Sequence, residues 1–502
     1  MWSSRNNLSI SAAFILFIIL ILRYFPKDLP EINVAEQETI EDGSFLSLIY
    51  QAKEEIDYLH DIIRGKAEIA PVVESERILN FETFCQKLRI NNVKIAEKHE
   101  WTKNFRWWLF SAHFDSRQNS LFPGKNSVQK NYQILLQILA SIFLKPPTTP
   151  YCLIQYPHST TPIVVEAILR PIWQRAWDPR FSFYNSYLIT CGLPKNKKNE
   201  IPKSISLIPT KCPSKLYTNI PIQNNKPKKD GTKKPLIGVC LKGLDFMEDR
   251  SQHLIEWIEF QILMKADKIV IYVYSITSET RKALEYYSEK GKVEIVDLAL
   301  PGFSPNTPFI RHNFIARNRQ QKRRSELIPY NDCFLRFSQS HEYVLIVDSD
   351  EFVVPLKHEN WPDMLESLQN QKFYSSSLAI RNVFKLETFD HSSNSPLKML
   401  SNNFRSKIVQ DKGISEKSFI NTKTIATVFN HFALHRLYSN VTRTQHIDPE
   451  IAIKLHYKPN CPEELGLHCK EIVEDPIKDE SLDRFVTKLE ENVAKVLSII
   501  RN

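Results

Sequence analysis

Glycine is scarce in this chain, with 11 residues in 502, and methionine is scarcer still with 5. That shortage removes several nucleotide-binding designs at once. No Gly-x-Gly-x-x-Gly occurs, so the glycine-rich first turn of a dinucleotide-binding domain is excluded. Gly238 and Gly243 have Walker spacing, but Leu244 and Asp245 stand where a lysine and a Ser or Thr must hold phosphate and Mg²⁺, which excludes a P-loop. A Gly-x-Ser-x-Gly elbow is missing too, against a serine hydrolase. So are Cys-x2-Cys pairs, and the close group His456, Cys461, His468 and Cys469 lacks zinc-ligand spacing.

What is present begins with charge. The formal net charge of +9 suggests a nucleic-acid partner until its distribution is followed. Between Pro194 and Pro235 eleven lysines face only Glu200 and Asp230, an excess equal to that of the whole chain. The rest is near neutral. Rich in Pro, Asn and Ser, the segment 194–235 reads as a linker or long loop. A second basic group, Arg317, Arg319, Lys322, Arg323 and Arg324, reads as a solvated helix face.

At the amino terminus, Leu8 to Leu22 carries no charge and is dominated by Ile, Leu, Phe and Ala. As a helix, residues 8–25 would span about 27 Å, the thickness of a thin membrane. Bulky Arg23-Tyr24-Phe25-Pro26 follows where signal cleavage wants small residues, which favours a retained anchor over a signal peptide. Downstream, Phe45, Ile49, Ala52, Ile56, Leu59 and Ile63 form one helical seam, either a short coiled coil that dimerises the stem or an amphipathic helix packed on its own chain. Eight cysteines and the sequon Asn440-Val441-Thr442, with Asn440 as acceptor, suit a lumenal, oxidising space. The region 77–193 is aromatic-rich, and its Trp101, Trp107, Trp108, Trp173 and Trp177 read either as core or as a sugar platform.

From Leu236 the chain alternates strand and helix: strands at 236–241, 268–274 and 293–298, helices at 252–265 and 279–290, the latter stopped by Gly291. A long helical stretch at 313–337 leads to Tyr343-Val344-Leu345-Ile346-Val347, an apolar strand ended by Asp348-Ser349-Asp350-Glu351. Such alternation predicts a doubly wound, mostly parallel α/β sheet, whose ligands bind beyond the carboxyl ends of the strands. Asp348 and Asp350 would then offer hard oxygen donors to a divalent ion gripping a diphosphate. The bland alternative is a solvated turn.

Several blocks in order carry a likeness. Leu254-Ile255-Glu256-Trp257-Ile258-Glu259-Phe260, Leu284-Glu285-Tyr286-Tyr287, Asn331-Asp332-Cys333, Asp348-Ser349-Asp350-Glu351, Lys417-Ser418-Phe419-Ile420 and Ala452-Ile453-Lys454-Leu455-His456-Tyr457 resemble the family 92 glycosyltransferases, type II Golgi membrane enzymes. The resemblance implies a GT-A-like domain and transfer of a hexose, galactose from UDP-galactose, onto a glycan of a glycoprotein or glycolipid with inversion. It implies Mn²⁺ or another divalent cation on Asp350 and Asp348, with His456 or His431 as third ligand. A carboxylate base is needed, and Asp411 and Glu416 are the candidates. Lys265-Ala266-Asp267 stands where the family usually has a glycine-containing turn.

The organisation expected is therefore a cytoplasmic tail (1–7), an anchor (8–25), a stem (26–76), a smaller mixed α/β or β-rich accessory domain (77–193), the lysine-rich segment (194–235), a GT-A-like domain (236–475) and a carboxyl-terminal helix (476–502). The product would be a single-pass Golgi membrane enzyme with a lumenal catalytic domain, and a homodimer where the stem helix forms a coiled coil rather than packing on its own chain. The rival reading is an anchored glycan-binding protein that kept the fold and lost turnover.

Overall fold

The computed structural model describes residues 93–501, except 118–133, 160, 195–199, 214, 226–233, 371–374, 390–394 and 439–440. The expected anchor, the stem helix and Asn440 lie outside the described residues. Among the described residues no helix is long and apolar enough to cross a membrane.

Eight strands come first: β1 (Thr102–Asn104), β2 (Trp107–Asp115), β3 (Ile134–Phe143), β4 (Tyr151–Gln155), β5 (Ile163–Pro171), β6 (Tyr184–Leu193), β7 (Ser204–Ile208) and β8 (Ile220–Gln223). They run in the order β1-β2-β3-β6-β5-β4-β7-β8, and β8 pairs back onto β2, closing the sheet into a barrel. Period-two alternation fills its interior: Ile134, Leu136, Ile138 and Ala140 of β3 face Tyr187, Ile189 and Cys191 of β6. In β2 a bulge at Phe110 shifts the phase, so that Trp107 and Leu109 point inward before it and Ala112 and Phe114 after it. Phe110 itself turns outward to a second core. The lysine-rich segment is not only linker, because Ser204–Ile208 and Ile220–Gln223 within it are barrel strands. The short apolar runs there are too brief to stand out among the lysines.

The second sheet has the order β11-β10-β9-β12-β17-β14-β20, built from β9 (Ile237–Asp245), β10 (Lys268–Ser275), β11 (Val293–Asp297), β12 (Tyr343–Ile346), β14 (Ser375–Ile380), β17 (Lys417–Asn421) and β20 (Thr442–His446). Strands β11, β10, β9 and β12 are parallel, and β17 enters antiparallel beside β12. Between β9 and β12 the winding reverses, which opens a crevice at their carboxyl ends. A small sheet of β13 (Glu351–Pro355), β15 (Asn382–Leu386) and β21 (Ala452–Lys458) follows from the turn. The remaining strands are β16 (Phe404–Arg405), the hairpin β18 (Ile425–Val428) with β19 (Ala433–Arg436), and β22 (Ile477–Lys478).

Helices cover both faces of the parallel strands. On one, Leu254, Trp257 and Ile258 of α1 (Ser251–Leu263) and Ala283 and Leu284 of α2 (Ser278–Glu289) pack on Val239, Leu241, Ile269 and Ile271. The intervening residues Cys240, Val270 and Tyr272 point to the opposite face, against the barrel's Phe110, Leu139 and Leu188 and a helix between them. The expected single helix over 313–337 is three: α3 (Pro308–Arg317), α4 (Arg319–Ser325) and α5 (Leu327–Phe337), broken where Asn318 leaves helical geometry at φ −103° and ψ 63°. The basic run is not all solvated either. Arg324 is fully buried, its guanidinium 4.2 Å from the ring centres of both Trp173 and Phe183. Lys265, in the glycine-favouring position after α1, has φ 65°.

Every residue of α5 is buried, and three consecutive ones fasten it. The Asn331 amide donates to Val428 O and accepts from Val428 N, at 3.0 and 2.9 Å. Asp332 accepts from Tyr272 Oη at 2.6 Å and Arg336 Nε at 2.8 Å, and pairs with His113 Nε2 of the barrel at 2.9 Å. Cys333 is bonded to Cys240 of β9, closing a separation of 93 residues. Among the described residues, Cys152–Cys191 and Cys461–Cys469 are also bonded, the latter taking two sulfurs from the group weighed as a zinc site. Replacing Cys240 and Cys333 together by alanine is expected to lower stability by about 2–5 kcal/mol, the range for losing a long-loop crosslink, read as a drop in the guanidinium midpoint.

Candidate active site

Strand register dictates which side chains meet at the crevice. Ile346 of β12 stands beside Cys240 of β9, so two residues further on Asp348 lies beside Lys242, and Lys242 Nζ comes to 3.2 Å from Asp348 Oδ1. From the other flank Lys417, which opens β17, brings Nζ to 3.3 Å from Asp348 Oδ2 and 3.2 Å from Glu351 Oε2. The turn is closed reciprocally: Glu351 N–H donates to Asp348 O at 3.1 Å and Asp348 N–H donates to Glu351 Oε2 at 2.9 Å. From α1, Trp257 Nε1–H donates to Asp348 O and Glu351 O at 3.1 and 3.3 Å. The block containing Trp257 is thus a clamp on the acidic turn.

Pairing of β13 with β21 sets Glu351 opposite His456. Alternation along β21 puts Lys454, His456 and Lys458 on one face. Lys454 Nζ, fully buried, is 2.5 Å from Glu351 Oε1, while Lys458 Nζ donates to Asp350 Oδ2 at 2.7 Å. His456 Nε2 is 3.6 Å from Asp350 Oδ2, and its ring stacks on Phe384.

The three acids consequently differ. Glu351 is 2% exposed between two buried lysines and holds the turn together. Asp348 and Asp350 keep 20% and 31% exposure and line a cavity of about 740 Å³, a volume suited to a nucleotide-sized ligand. Burial acts to raise the Asp348 pKa, but Lys242 and Lys417 overcome it and hold the carboxyl well below its ordinary value. For Asp350 burial is likewise overcome by His456 and Lys458, and for Glu351 by Lys417 and Lys454. All three are anions near neutrality.

As a metal site the turn is incomplete by itself. Asp348 Oδ1 is buried with only the Lys242 ammonium beside it, at 3.2 Å, and His456 Nδ1 is unbonded. Among the described residues no group of three or more His, Cys, Asp or Glu is arranged to hold an ion. Two carboxylates fit a divalent cation that brings phosphate oxygens with it rather than one held in a preformed cage. His456 stands beside Asp350, where a third ligand would sit. His431 does not: it lines a neighbouring cavity, and its Nδ1–H donates to Glu416 O at 2.6 Å. Of the base candidates, Glu416 lines that same neighbouring cavity, whereas Asp411 is exposed on a turn and lines neither.

Reading the sequence missed Lys242, Lys417, Lys454 and Lys458, although the alternation of Lys454, His456 and Lys458 was a signal of one shared face. It missed Asp245 at the end of β9 as well, which lines the cavity and binds Arg311 Nη2 at 3.3 Å and His312 Nδ1 at 3.1 Å.

Residues 236–497 match the model of glycosyltransferase family 92. The chain belongs to that family. The Caenorhabditis elegans protein named beta-1,4-galactosyltransferase galt-1 is 24% identical over 179 residues, which cover 34% of this chain and 38% of that protein. The match thus spans less than two fifths of that relative. Among solved structures, S. aureus TarS 1-349 overlaps at a TM-score of 0.25 and 14% identity, over 45% of this chain and 61% of TarS. Its complex with UDP-GlcNAc overlaps at 0.24 and 12%, over 53% and 72%. Overlaps at these scores are too small to assign a fold, and the family rests on the sequence match.

Lys417 is the residue the turn can least spare. Lys417→Met leaves Asp348 and Glu351 short of a buried cation and is expected to destabilise the protein by about 3–5 kcal/mol in chemical denaturation, far more than an exposed ion pair would. Stability also depends on pH through His431 and His435, whose pKa values burial lowers to about 4. Below the unfolded value near 6.5 the unfolded chain binds protons that these folded imidazoles refuse, so stability falls as pH drops from about 6.5 to about 4. Denaturation midpoints across that window should decline, and His431→Asn should reduce the slope by up to about 1.4 kcal/mol per pH unit.

Proposed function

We propose that the chain is a metal-dependent glycosyltransferase with a GT-A-like donor site, moving a hexose from a nucleotide diphosphate sugar to a glycan with inversion. The observation that carries this reading is the placement of Asp348 and Asp350 on the wall of the large cavity at the switch point between β9 and β12, in a chain of family 92. UDP-galactose is the donor proposed, supported by the family likeness and by the galactosyltransferase name of the C. elegans relative.

Asp348 and Asp350 would hold a divalent cation, Mn²⁺ being the choice, with His456 beside them. Such an ion, when bound, offsets the charge that grows on the departing diphosphate. Lys242 and Lys458 flank the same carboxylates and are placed to meet phosphate oxygens entering the cavity. Trp257, Lys417 and Glu351 keep the turn fixed, so little reorganisation is needed when the donor arrives. For the transfer, the acceptor hydroxyl oxygen attacks the anomeric carbon as the bond to the diphosphate breaks, and its proton passes to a carboxylate. Glu416 is the base we assign, because Asp411 lies outside both cavities. Disulfides of the kind found here persist in oxidising compartments, which suits a lumenal domain of a Golgi enzyme.

The test is donor hydrolysis by the secreted chain lacking its first forty or so residues, with UDP-galactose and other UDP- and GDP-sugars, in Mn²⁺ or in EDTA. Chelator-sensitive turnover of one donor is expected, and Asp350→Asn should reduce it by about 10²-fold or more while leaving the thermal midpoint near that of the parent. Wild-type protein that binds glycans but turns over no donor would overturn the enzyme in favour of a glycan-binding protein.

A further inference from the structure

A second cavity, of about 410 Å³, adjoins the first, and Glu326 lines both. Its walls come from distant parts of the chain. The loop after β5 supplies Trp173 and Trp177, the entry to β17 supplies Glu416, the hairpin between β18 and β19 supplies Asn430, and α5 supplies Tyr330. Lys417 measures how near the two cavities are: its Nζ is 3.3 Å from Asp348 Oδ2 on one side and 3.5 Å from Asn430 Oδ1 on the other. One side chain thus bridges the acidic turn and a lining residue of the second cavity.

The chemistry of this space differs from that of the first. Lys242, Lys385, Lys398 and Lys458 line the larger cavity, whereas Arg323 is the single Lys or Arg lining the smaller. A second phosphate group would find little there. What it offers is an aromatic side and a polar side. Trp177 is 47% exposed, a high value for so large an apolar ring, and is held by edge contact with buried Phe429 at 5.1 Å. Opposite in chemistry stands the Glu416 carboxylate, which accepts from His446 Nδ1 at 2.8 Å and from Gly413 N–H at 2.9 Å. Two of its four lone-pair positions are thereby used, leaving acceptor capacity for a hydroxyl. The Tyr330 hydroxyl is buried with no hydrogen-bond partner. A pyranose ring matches both sides, having an apolar face of C–H groups and a rim of hydroxyls.

We propose that the second cavity is the acceptor subsite, in which an uncharged pyranose of the acceptor glycan stacks on Trp177 and presents one hydroxyl to Glu416. The proposal rests on the transferase reading above and deepens it. It makes the barrel part of the site, since Trp177 comes from the barrel side and Glu416 from the parallel-sheet side. Specificity for the acceptor is then set partly by a loop outside the segment that matches the family.

Two measurements test it on the secreted chain. In the first, saturation-transfer NMR follows methyl β-glycosides of galactose, glucose and N-acetylglucosamine, together with a pool of released N-glycans, against wild type, Trp177→Ala and Trp177→Phe. Binding of at least one of these by the wild type, weakened roughly tenfold in Trp177→Ala and largely kept in Trp177→Phe, is the expected result. In the second, donor affinity is measured by calorimetry with the nucleoside diphosphate and Mn²⁺, and should be the same in all three proteins. Sugar binding that is equal in wild type and Trp177→Ala overturns the subsite, and so does the absence of binding by every sugar. Failure of the wild type to bind or hydrolyse any donor overturns the transferase reading instead, whatever the sugars do.

Discussion

The fold depends on one helix buried on every side. α5 lies between the barrel and the parallel sheet, and neither layer's facing core is closed without it. A helix so placed cannot rely on an amphipathic stripe, so its polar atoms need partners inside the protein. Asn331 satisfies the β18 backbone, Asp332 gathers His113, Tyr272 and Arg336, and Cys333 is covalently tied to β9. These directional constraints fix the rotation and height of the helix. Since β9 carries Lys242 at its far end and β2 carries His113, the position of α5 also fixes where the barrel stands relative to the crevice.

The same economy of buried charge governs the acidic turn. Three carboxylates within four residues would repel one another at a strand end of low polarity. Lys242, Lys417, Lys454 and Lys458 approach them from three separate strands, so the turn is assembled by tertiary structure rather than by its own sequence. Removing one carboxylate partner would expose the others to uncompensated charge. This explains why Glu351, which lines neither cavity, accompanies the Asp-x-Asp pair: it anchors two buried lysines, of which Lys417 in turn steadies Asp348.

Much of this is legible in the sequence. The parallel sheet showed itself because continuous apolar runs alternate with helical segments, and the strand-end position of Asp348 and Asp350 followed from the acidic turn that stops the last of those runs. The barrel was less legible. Its strands β3 and β6 are as continuously buried as those of the parallel sheet, but among the described residues no helix comes between the barrel strands to give a repeating pattern, and β7 and β8 hide within a lysine-rich stretch. Charged residues were the hardest to place. Lys454 and Arg324 sit in local patterns that read as solvent-facing, yet both are fully buried, because Glu351 in one case and Trp173, Phe183 and backbone carbonyls in the other are supplied by remote segments. No window of sequence contains both partners.

That remoteness bears on how the two cavities came to adjoin. Glu326, at the junction of α4 and α5, lines both, and Lys417, at the start of an antiparallel strand inserted beside β12, reaches from Asp348 of the one to Asn430 of the other. An all-parallel continuation of the sheet would have placed the amino end of that neighbouring strand at the opposite edge. By entering antiparallel, β17 instead begins at the crevice, which sets Glu416 and Lys417 within one residue of each other and facing different spaces. Period-two alternation then does the rest: Lys417 turns toward Asp348, and Glu416 turns toward Trp177 and His446. A single strand reversal is therefore enough to put a cation against the acidic turn and a carboxylate in the cavity beside it.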